Sequence, residues 1–283
     1  MKLIECPRDA MQGMVEFIPT ETKAVYLNAL LKVGFDTIDF GSFVSAKAIP
    51  QLRDTAAVLE KLNLSATRSK LLSIVANTRG AQQAVQWSEI TYLGFPLSLS
   101  ETFQRRNTNK SIAEALKAVE EIQAVCRRRD KILVIYLSMG FGNPYGDPYE
   151  LAIVEQFTDI LSRLEIKIIS LADTIGVSKP DQIQYLFEML VPKFPMIEFG
   201  AHLHSSPAMA MEKIEAAYLS GCQRFDSAIH GFGGCPMAED ELVGNLATET
   251  ILTYLESKND VPDLDEREFA KSLLLADSIF LKH

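Results

Sequence analysis

Short apolar runs recur along the chain, separated by stretches in which apolar residues return every three or four positions. The runs are "KLIEC" at 2–6, "FDTIDF" at 35–40, "KLLSIVA" at 70–76, "EITYLGF" at 89–95, "KILVIYLSM" at 131–139, "IKIISLAD" at 166–173, "MIEFGAHLH" at 196–204 and "CQRFDSAIH" at 222–230. Their length and residue content predict eight strands. The helical period is clearest from Thr20 to Val33 and in "SIAEALKAVEEIQAVCRRR", "PYELAIVEQFTDILSRL", "KPDQIQYLFEMLV" and "PAMAMEKIEAAYLSG". Ser111, with Glu114 three residues on, predicts a capping box. Strands alternating with helices predict an α/β chain closed into a parallel (β/α)8 barrel, the TIM-barrel architecture, rather than an open doubly wound sheet. No G-x-G-x-x-G follows the first strand, which weakens a dinucleotide-binding reading. The expectation is one catalytic domain over 1–283, with the barrel at about 1–257 and an additional C-terminal helix within 261–283.

In such a barrel, chemistry gathers where strands stop. "ECPRDAMQG" ends the first strand and brings Arg8, Asp9 and Gln12 to the mouth. By itself "PRD" favours a salt-bridged turn. "DFGSFVS" ends the second with Asp39, Ser42 and Ser45, and "LADTIG" ends the sixth with Asp173 and Thr174. "AHLHSS" ends the seventh with His202 and His204, two of only four histidines. Alternation along a strand points both imidazoles the same way. With Asp9 facing them, and the amide oxygen of Asn245 in "GNLATE", they make a nitrogen and oxygen ligand set. Such a set suits Mg or Mn; Zn is a poorer match without thiolates. "HGFGGCP" follows the eighth strand, and its Gly231, Gly233 and Gly234 permit positive φ. Cys235 at its tip is either a thiol brought over a substrate or a bystander in a tight turn.

Composition narrows the partners. The 283 residues are 47% hydrophobic and carry a net charge of −9. That balance argues against nucleic-acid binding through the overall field, while a local basic cluster can still meet a phosphate. No run reaches the length a membrane helix needs, and "MKLIECPRD" does not read as a leader, so no membrane role and a cytoplasmic location are expected. Cys6, Cys126, Cys222 and Cys235 are scattered without a CxxC, which argues against disulfides and a thiolate zinc site. Cys126 and Cys222 read as small buried apolar groups.

Together "PRDAMQ", "SFVSAKAIPQ", "SLADTIGV", "AHLH", "GFGGCP" and "GNLATE" resemble the 3-hydroxy-3-methylglutaryl-CoA lyase family, within the metal-dependent lyases built on TIM barrels. The resemblance runs from about Glu5 to Glu256. It implies cleavage of 3-hydroxy-3-methylglutaryl-CoA to acetoacetate and acetyl-CoA. It implies a divalent metal on Asp9, His202, His204 and Asn245, with Arg8 stabilising an enolate and Cys235 moving a proton. It places Asp39 where the family usually has Glu, and Asp173 at an active-site carboxylate. Gln12, Ser42, Thr174, Gly233 and Gly234 are then substrate-binding candidates, the partner is an acyl-CoA, and a homodimer is a further implication. Asp39, His202 and Asp173 all stand as candidates for the general base. The chain departs from the family at Ser205, where Asp is usual after the histidines, and at Asn143 of "GNPYGD", where the family has Cys. "GFPLSLSETFQRRN" is unusual too, though Arg105 and Arg106 remain available to a phosphate. The alternatives are another 3-hydroxyacyl-CoA, a 4-hydroxy-2-oxoacid aldolase, or a non-catalytic barrel.

Overall fold

The computed structural model describes residues 1–234 and 243–281. Eight parallel strands close into a barrel in chain order, and the last pairs with the first. They are β1 (Lys2–Glu5), β2 (Thr37–Ser42), β3 (Lys70–Ile74), β4 (Ile90–Ser98), β5 (Ile132–Ser138), β6 (Ile168–Asp173), β7 (Glu198–Leu203) and β8 (Arg224–Ser227). Each predicted run holds one strand. The eighth ends earlier than expected, because Ile229–Gly231 turns into a 3-10 helix and puts His230 at φ 56.

The predicted helices are α2 (Thr20–Val33), α6 (Ile112–Arg128), α7 (Leu151–Arg163), α8 (Pro180–Lys193) and α9 (Pro207–Leu219), and α10 (Thr248–Ser257) follows the eighth strand. The Ser111–Glu114 capping box forms as the sequence requires. Shorter helices went unread: α1 (Pro7–Gln12), α3 (Thr55–Leu59), α4 (Thr78–Ala84) and α5 (Glu101–Thr108). At five to eight residues, they are too brief for an amphipathic period to establish itself. The C-terminal helix, α11 (Glu266–Phe280), lies against α2. Phe269 meets Phe35 edge to face at 6.2 Å, and Phe280 meets Tyr26 at 6.0 Å.

Alternation divides the strand side chains between two environments. Leu71, Leu93, Ile135, Ile169, Phe199 and Phe225 point outward and join the core under the helices. Leu72, Ile74, Tyr92, Val134, Tyr136 and Ile168 fill the barrel interior. The interior is polar as well, holding Ser170, Arg224 and Asp226. Gly200 makes room for this: a Cβ there would lie 2.5 Å from Cγ of Arg224. Cys126 and Cys222 are buried, as expected of small apolar groups.

Glu5 fastens the top of the barrel. Its Oε1 accepts from the amide of Ile229 at 2.9 Å, and its Oε2 lies 2.6 Å from Oγ1 of Thr248. Burial, only partly offset by these bonds, pushes the carboxyl up to about 8. The folded protein therefore keeps a proton that the unfolded chain releases near the ordinary carboxylate value. That contribution to stability is largest in acid and falls as pH rises through about 8. Glu5→Gln keeps the shape without the titration. Denaturant midpoints from pH 5 to 9 should fall with pH more steeply in the parent than in the variant, by up to a few kcal/mol. Parallel profiles would contradict the assignment.

Candidate active site

A cavity of about 430 Å³ opens at the C-terminal ends of the strands. Arg8, Asp9, Gln12, Thr174, His202 and His204 line one part of it. The first three come from α1, which begins on Pro7, a residue suited to the first turn of a helix. Helical spacing puts Arg8 and Gln12 on one face. Nη1 of Arg8 donates to Oε1 of Gln12 and to Oδ1 of Asp9, both at 2.8 Å, and Nε2 of Gln12 donates to Asp9 at 2.9 Å. The other edge of the guanidinium donates to Oδ2 of Asp39, from Nε at 2.9 Å and Nη2 at 2.5 Å. "PRD" is thus both a salt-bridged structure and part of the cavity wall.

Asp39 sits beneath Arg8, fully buried, where β2 slips one register against β3 between Asp39 and Gly41. Such bulges re-aim side chains near functional sites. Burial, opposed by Arg8, pushes the Asp39 carboxyl up to about 6. Asp9 goes the other way. Burial raises it, but Arg8, both histidines and Asn245 outweigh burial and hold it below the usual range.

β7 delivers the histidines, and their rings lie 5.3 Å apart. Nδ1 of His204 donates to the carbonyl of Thr174 at 3.1 Å. Nε2 of His204 is buried with no protein partner. Burial and the neighbouring His202 push His204 down to about 4, so its Nε2 offers a lone pair at neutral pH. Nδ1 of His202 lies 3.3 Å from Oδ2 of Asp226, off the line of a straight hydrogen bond. Burial lowers His202, but Asp226 and then Asp9 outweigh it and raise the imidazole above its ordinary value. One ligand atom each from Asp9, His202 and His204 falls within 4.8 Å of the others. This donor set, with an unpartnered buried nitrogen aimed into it, fits a divalent cation.

Asn245 reaches the site through an isolated antiparallel bridge with His204. Its amide nitrogen, not the expected oxygen, faces Asp9, at 2.7 Å, and also donates to the carbonyl of Phe232 at 2.9 Å. An anionic carboxylate takes a donor, so ligation through the oxygen requires the amide to turn over. Gly233, at φ 92, packs so closely that a Cβ would lie 2.8 Å from Cα of Ala10 and 2.9 Å from the Asn245 amide. Gly234 also has positive φ, at 136. Cys235 lies outside the described residues.

Other candidates are placed differently by the fold. Asp173 ends β6, but its carboxylate accepts from the amides of Val177 and Ser178, the Ser178 hydroxyl and Nζ of Lys213. It anchors the loop after β6 and is absent from the cavity wall. Ser42 spends its hydroxyl on the carbonyl of Ile74 and the amide of Val44, and it too is absent from the wall. Thr174 lines the cavity, yet its hydroxyl accepts from the amide of Met139. Arg105 pairs with Glu101 at 2.8 Å and is absent from the wall; Arg106 lies on it, over the ring of Tyr145. Asn143 organises its own loop, accepting from the amides of Tyr145 and Asp147.

Three residues passed unread in the sequence. Tyr136 lines the cavity, with a buried hydroxyl lacking a protein partner and its ring 5.4 Å from His202. Asp226 stands behind His202 and accepts from Ser170 at 2.9 Å. Lys213 of α9 binds Asp173 and the carbonyl of His204, both at 2.9 Å, and so ties two strand ends together. Strand alternation was the available signal for Tyr136 and Asp226; Lys213 looks like any lysine on a helix.

A family model described as HMGL-like matches residues 3–273. Hydroxymethylglutaryl-CoA lyase YngG of Bacillus subtilis is 33% identical over 253 residues, covering 88% of this chain and 83% of the relative. The cytoplasmic 3-hydroxy-3-methylglutaryl-CoA lyase of Rattus norvegicus is 31% identical over 259 residues, covering 90% of this chain and 74% of the relative. The solved structure of an HMG-CoA lyase from Acinetobacter baumannii, in complex with coenzyme A and 3-methylmalate, superposes with a TM-score of 0.91 at 28% identity, covering 100% of this chain and 91% of that one. A family match over nearly the whole barrel, joined to a carboxylate, a guanidinium and two imidazoles converging at its mouth, makes this chain a member of the HMGL-like family.

Proposed function

We propose that the protein is a divalent-metal-dependent carbon–carbon lyase that cleaves 3-hydroxy-3-methylglutaryl-CoA to acetoacetate and acetyl-CoA. The observation that carries this reading is the convergence of Asp9, His202 and His204 beside the buried Arg8 in one cavity. Asp9, His202 and His204 would hold Mg or Mn, with Asn245 as a fourth donor once its amide is turned. The ion, when bound, supplies Lewis acidity that lowers the pKa of the substrate hydroxyl. Arg8 is pinned by Asp39 and Asp9, so its charge needs no rearrangement to meet an enolate oxygen. The hydroxyl proton leaves to a base, and the C3 oxygen becomes the ketone of acetoacetate. The C2–C3 electron pair passes to the thioester as an enolate, and a proton delivered to C2 completes acetyl-CoA. Cys235 is proposed to deliver it. Asp173 is committed to its loop and Asp39, equally absent from the cavity wall, to Arg8; of the three candidate bases only His202 lines the cavity, with its Nδ1 turned to Asp226. Arg106 at the mouth suits a phosphate of the CoA arm. Among the described residues no helix is long and apolar enough to cross a membrane. The free thiols of Cys6, Cys126 and Cys222 accord with a reducing cytoplasmic setting.

Purified protein should release acetyl-CoA from 3-hydroxy-3-methylglutaryl-CoA in the presence of Mg or Mn and stop when EDTA is added. Arg8→Gln should lower kcat by at least about 100-fold with the metal content intact. Cys235→Ser should bind substrate and lose most turnover, a hydroxyl being the weaker acid. No acetyl-CoA from the parent with either metal would refute the reaction.

Metal binding can be checked apart from turnover. His202→Ala should abolish stoichiometric Mn binding in calorimetry. Asp226→Asn should weaken it by about 10-fold to 100-fold, because Asp226 orients the His202 ring from behind. Unchanged Mn affinity in both would remove the ligand assignment.

A further inference from the structure

We infer that the cavity carries an apolar subsite, built by Val44, Ala48, Ile49, Pro50, Ile74 and Ala76, for a hydrocarbon branch longer than methyl on the hydroxyl-bearing carbon of the acyl-CoA substrate. The inference rests on the lyase reading above and names the substrate class of that same cavity.

The barrel order supplies the first step. β3 and β7 are separated by four positions in either direction around the eight-strand ring, so they stand opposite each other. β7 and α1 carry the polar wall of Asp9, His202, His204 and Arg8. Ile74 and Ala76 lie at and just beyond the end of β3, and the other four follow β2. Ile74 and Ala76 therefore face the histidines of β7 across the mouth, while Val44, Ala48, Ile49 and Pro50 lie on the β2 side, next to α1.

Substrate chemistry supplies the second. The hydroxyl-bearing carbon is tetrahedral. With its oxygen held at Asp9 and the histidines, its three carbon substituents point away from the polar wall. Two of them end in a carboxylate and a thioester, and the third is hydrocarbon. A methyl group contacts atoms only within about 4 Å and covers one or two of the six side chains. Val44, Ile49 and Ala76 are half-buried, while Ala48 and Pro50 are exposed. A longer branch is needed to take these apolar surfaces out of water. The alanines at 48 and 76 are small, which leaves the branch its space. The CoA arm has its own side of the mouth, where Phe103, Arg106 and Thr108 of α5 and the intervening Asn107 line the cavity.

The test uses uncleavable thioether analogues of CoA. In these the thioester carbonyl is a methylene, so no enolate can form. One carries a methyl and the other a butyl group on the hydroxyl-bearing carbon. Each buried methylene is worth about fourfold in affinity, so three methylenes predict tighter binding of the butyl analogue by at least about tenfold. Calorimetry on the full-length protein with Mg should show that ratio. Ala76→Leu and Ala48→Leu, on separate segments, should each collapse it towards one. A parent ratio near or below one overturns the subsite. So does a ratio that survives both variants, or a loss of affinity for CoA alone as large as that for the butyl analogue, which would give the wall to the pantetheine arm. Acetyl-CoA release from the natural thioester, on the same preparations, reports the reaction separately. A butyl preference without release sinks the lyase reading and leaves the subsite standing; release without the preference does the reverse.

Discussion

A guanidinium with almost no exposure lies between two carboxylates at the rim of the barrel, and the site is arranged around it. Arg8 reaches Asp39 on β2 with one edge and Asp9 and Gln12 on its own helix with the other. Burying such charges costs several kcal/mol per ion, and that is tolerable only because each finds a partner. The arrangement fixes α1 against the end of β2. It also fixes the Asp9 carboxylate, whose remaining oxygen is turned to Asn245. Loss of Arg8 would leave two buried carboxylates without their shared cation, at a cost of roughly 3–5 kcal/mol. Geometry and charge at the site are therefore set by one side chain with five donors in a rigid fork.

What surrounds Arg8 extends this logic through the backbone. β7 brings His202 and His204 to the mouth, and Lys213 holds the carbonyl of His204 together with the carboxylate of Asp173. The bridge from His204 to Asn245 draws the chain after the glycine loop onto the same side. Gly233 lets that loop lie directly on α1. Charges and amides from α1, β7 and the segment before α10 thus meet although they are distant in sequence. The closed sheet beneath them cannot shear without breaking its ring of hydrogen bonds.

The barrel was legible because each strand is long enough to show its apolar run, and each long helix shows its period. The short helices were not, and α1 matters most among them, since its spacing pairs Arg8 with Gln12. The positions at strand ends were legible from the rule that chemistry gathers there, and the fold brings Arg8, Asp9, Gln12, Thr174, His202 and His204 to the wall of one cavity. The rule says where a residue lies but not where its side chain turns. Asp173 and Ser42 sit at strand ends and turn into local hydrogen bonds. Orientation depends on partners such as Ser178, Lys213 and Val44, which only the folded chain brings together. Asp226 was hidden for the opposite reason: it sits one layer below the mouth, where the rule does not look, yet it faces His202.

Buried polar atoms usually find partners, and each one left without costs about 1–3 kcal/mol. Among the described residues, such atoms include Nε2 of His204, Nδ1 of His202, Oδ1 of Asp39, Oδ1 of Asp226 and the hydroxyl of Tyr136. A fold selected for stability alone would scatter such defects or remove them. These five gather at the mouth and the layer just beneath it, beside charges already held in place, while others, such as the hydroxyls of Ser69, Ser220 and Tyr254, lie elsewhere. Nε2 of His204 and the Tyr136 hydroxyl belong to residues of the cavity wall, where a cation or a substrate oxygen would complete them, and a modest rotation of the His202 ring would bring its Nδ1 onto Asp226. The polar part of the cavity is therefore preorganised at a cost to stability, while its apolar lining from the β2 and β3 ends bears no such defect. That division is expected of a site that binds its substrate by two different forces: directional bonds at the reacting carbon, and removal of hydrocarbon from water beyond it.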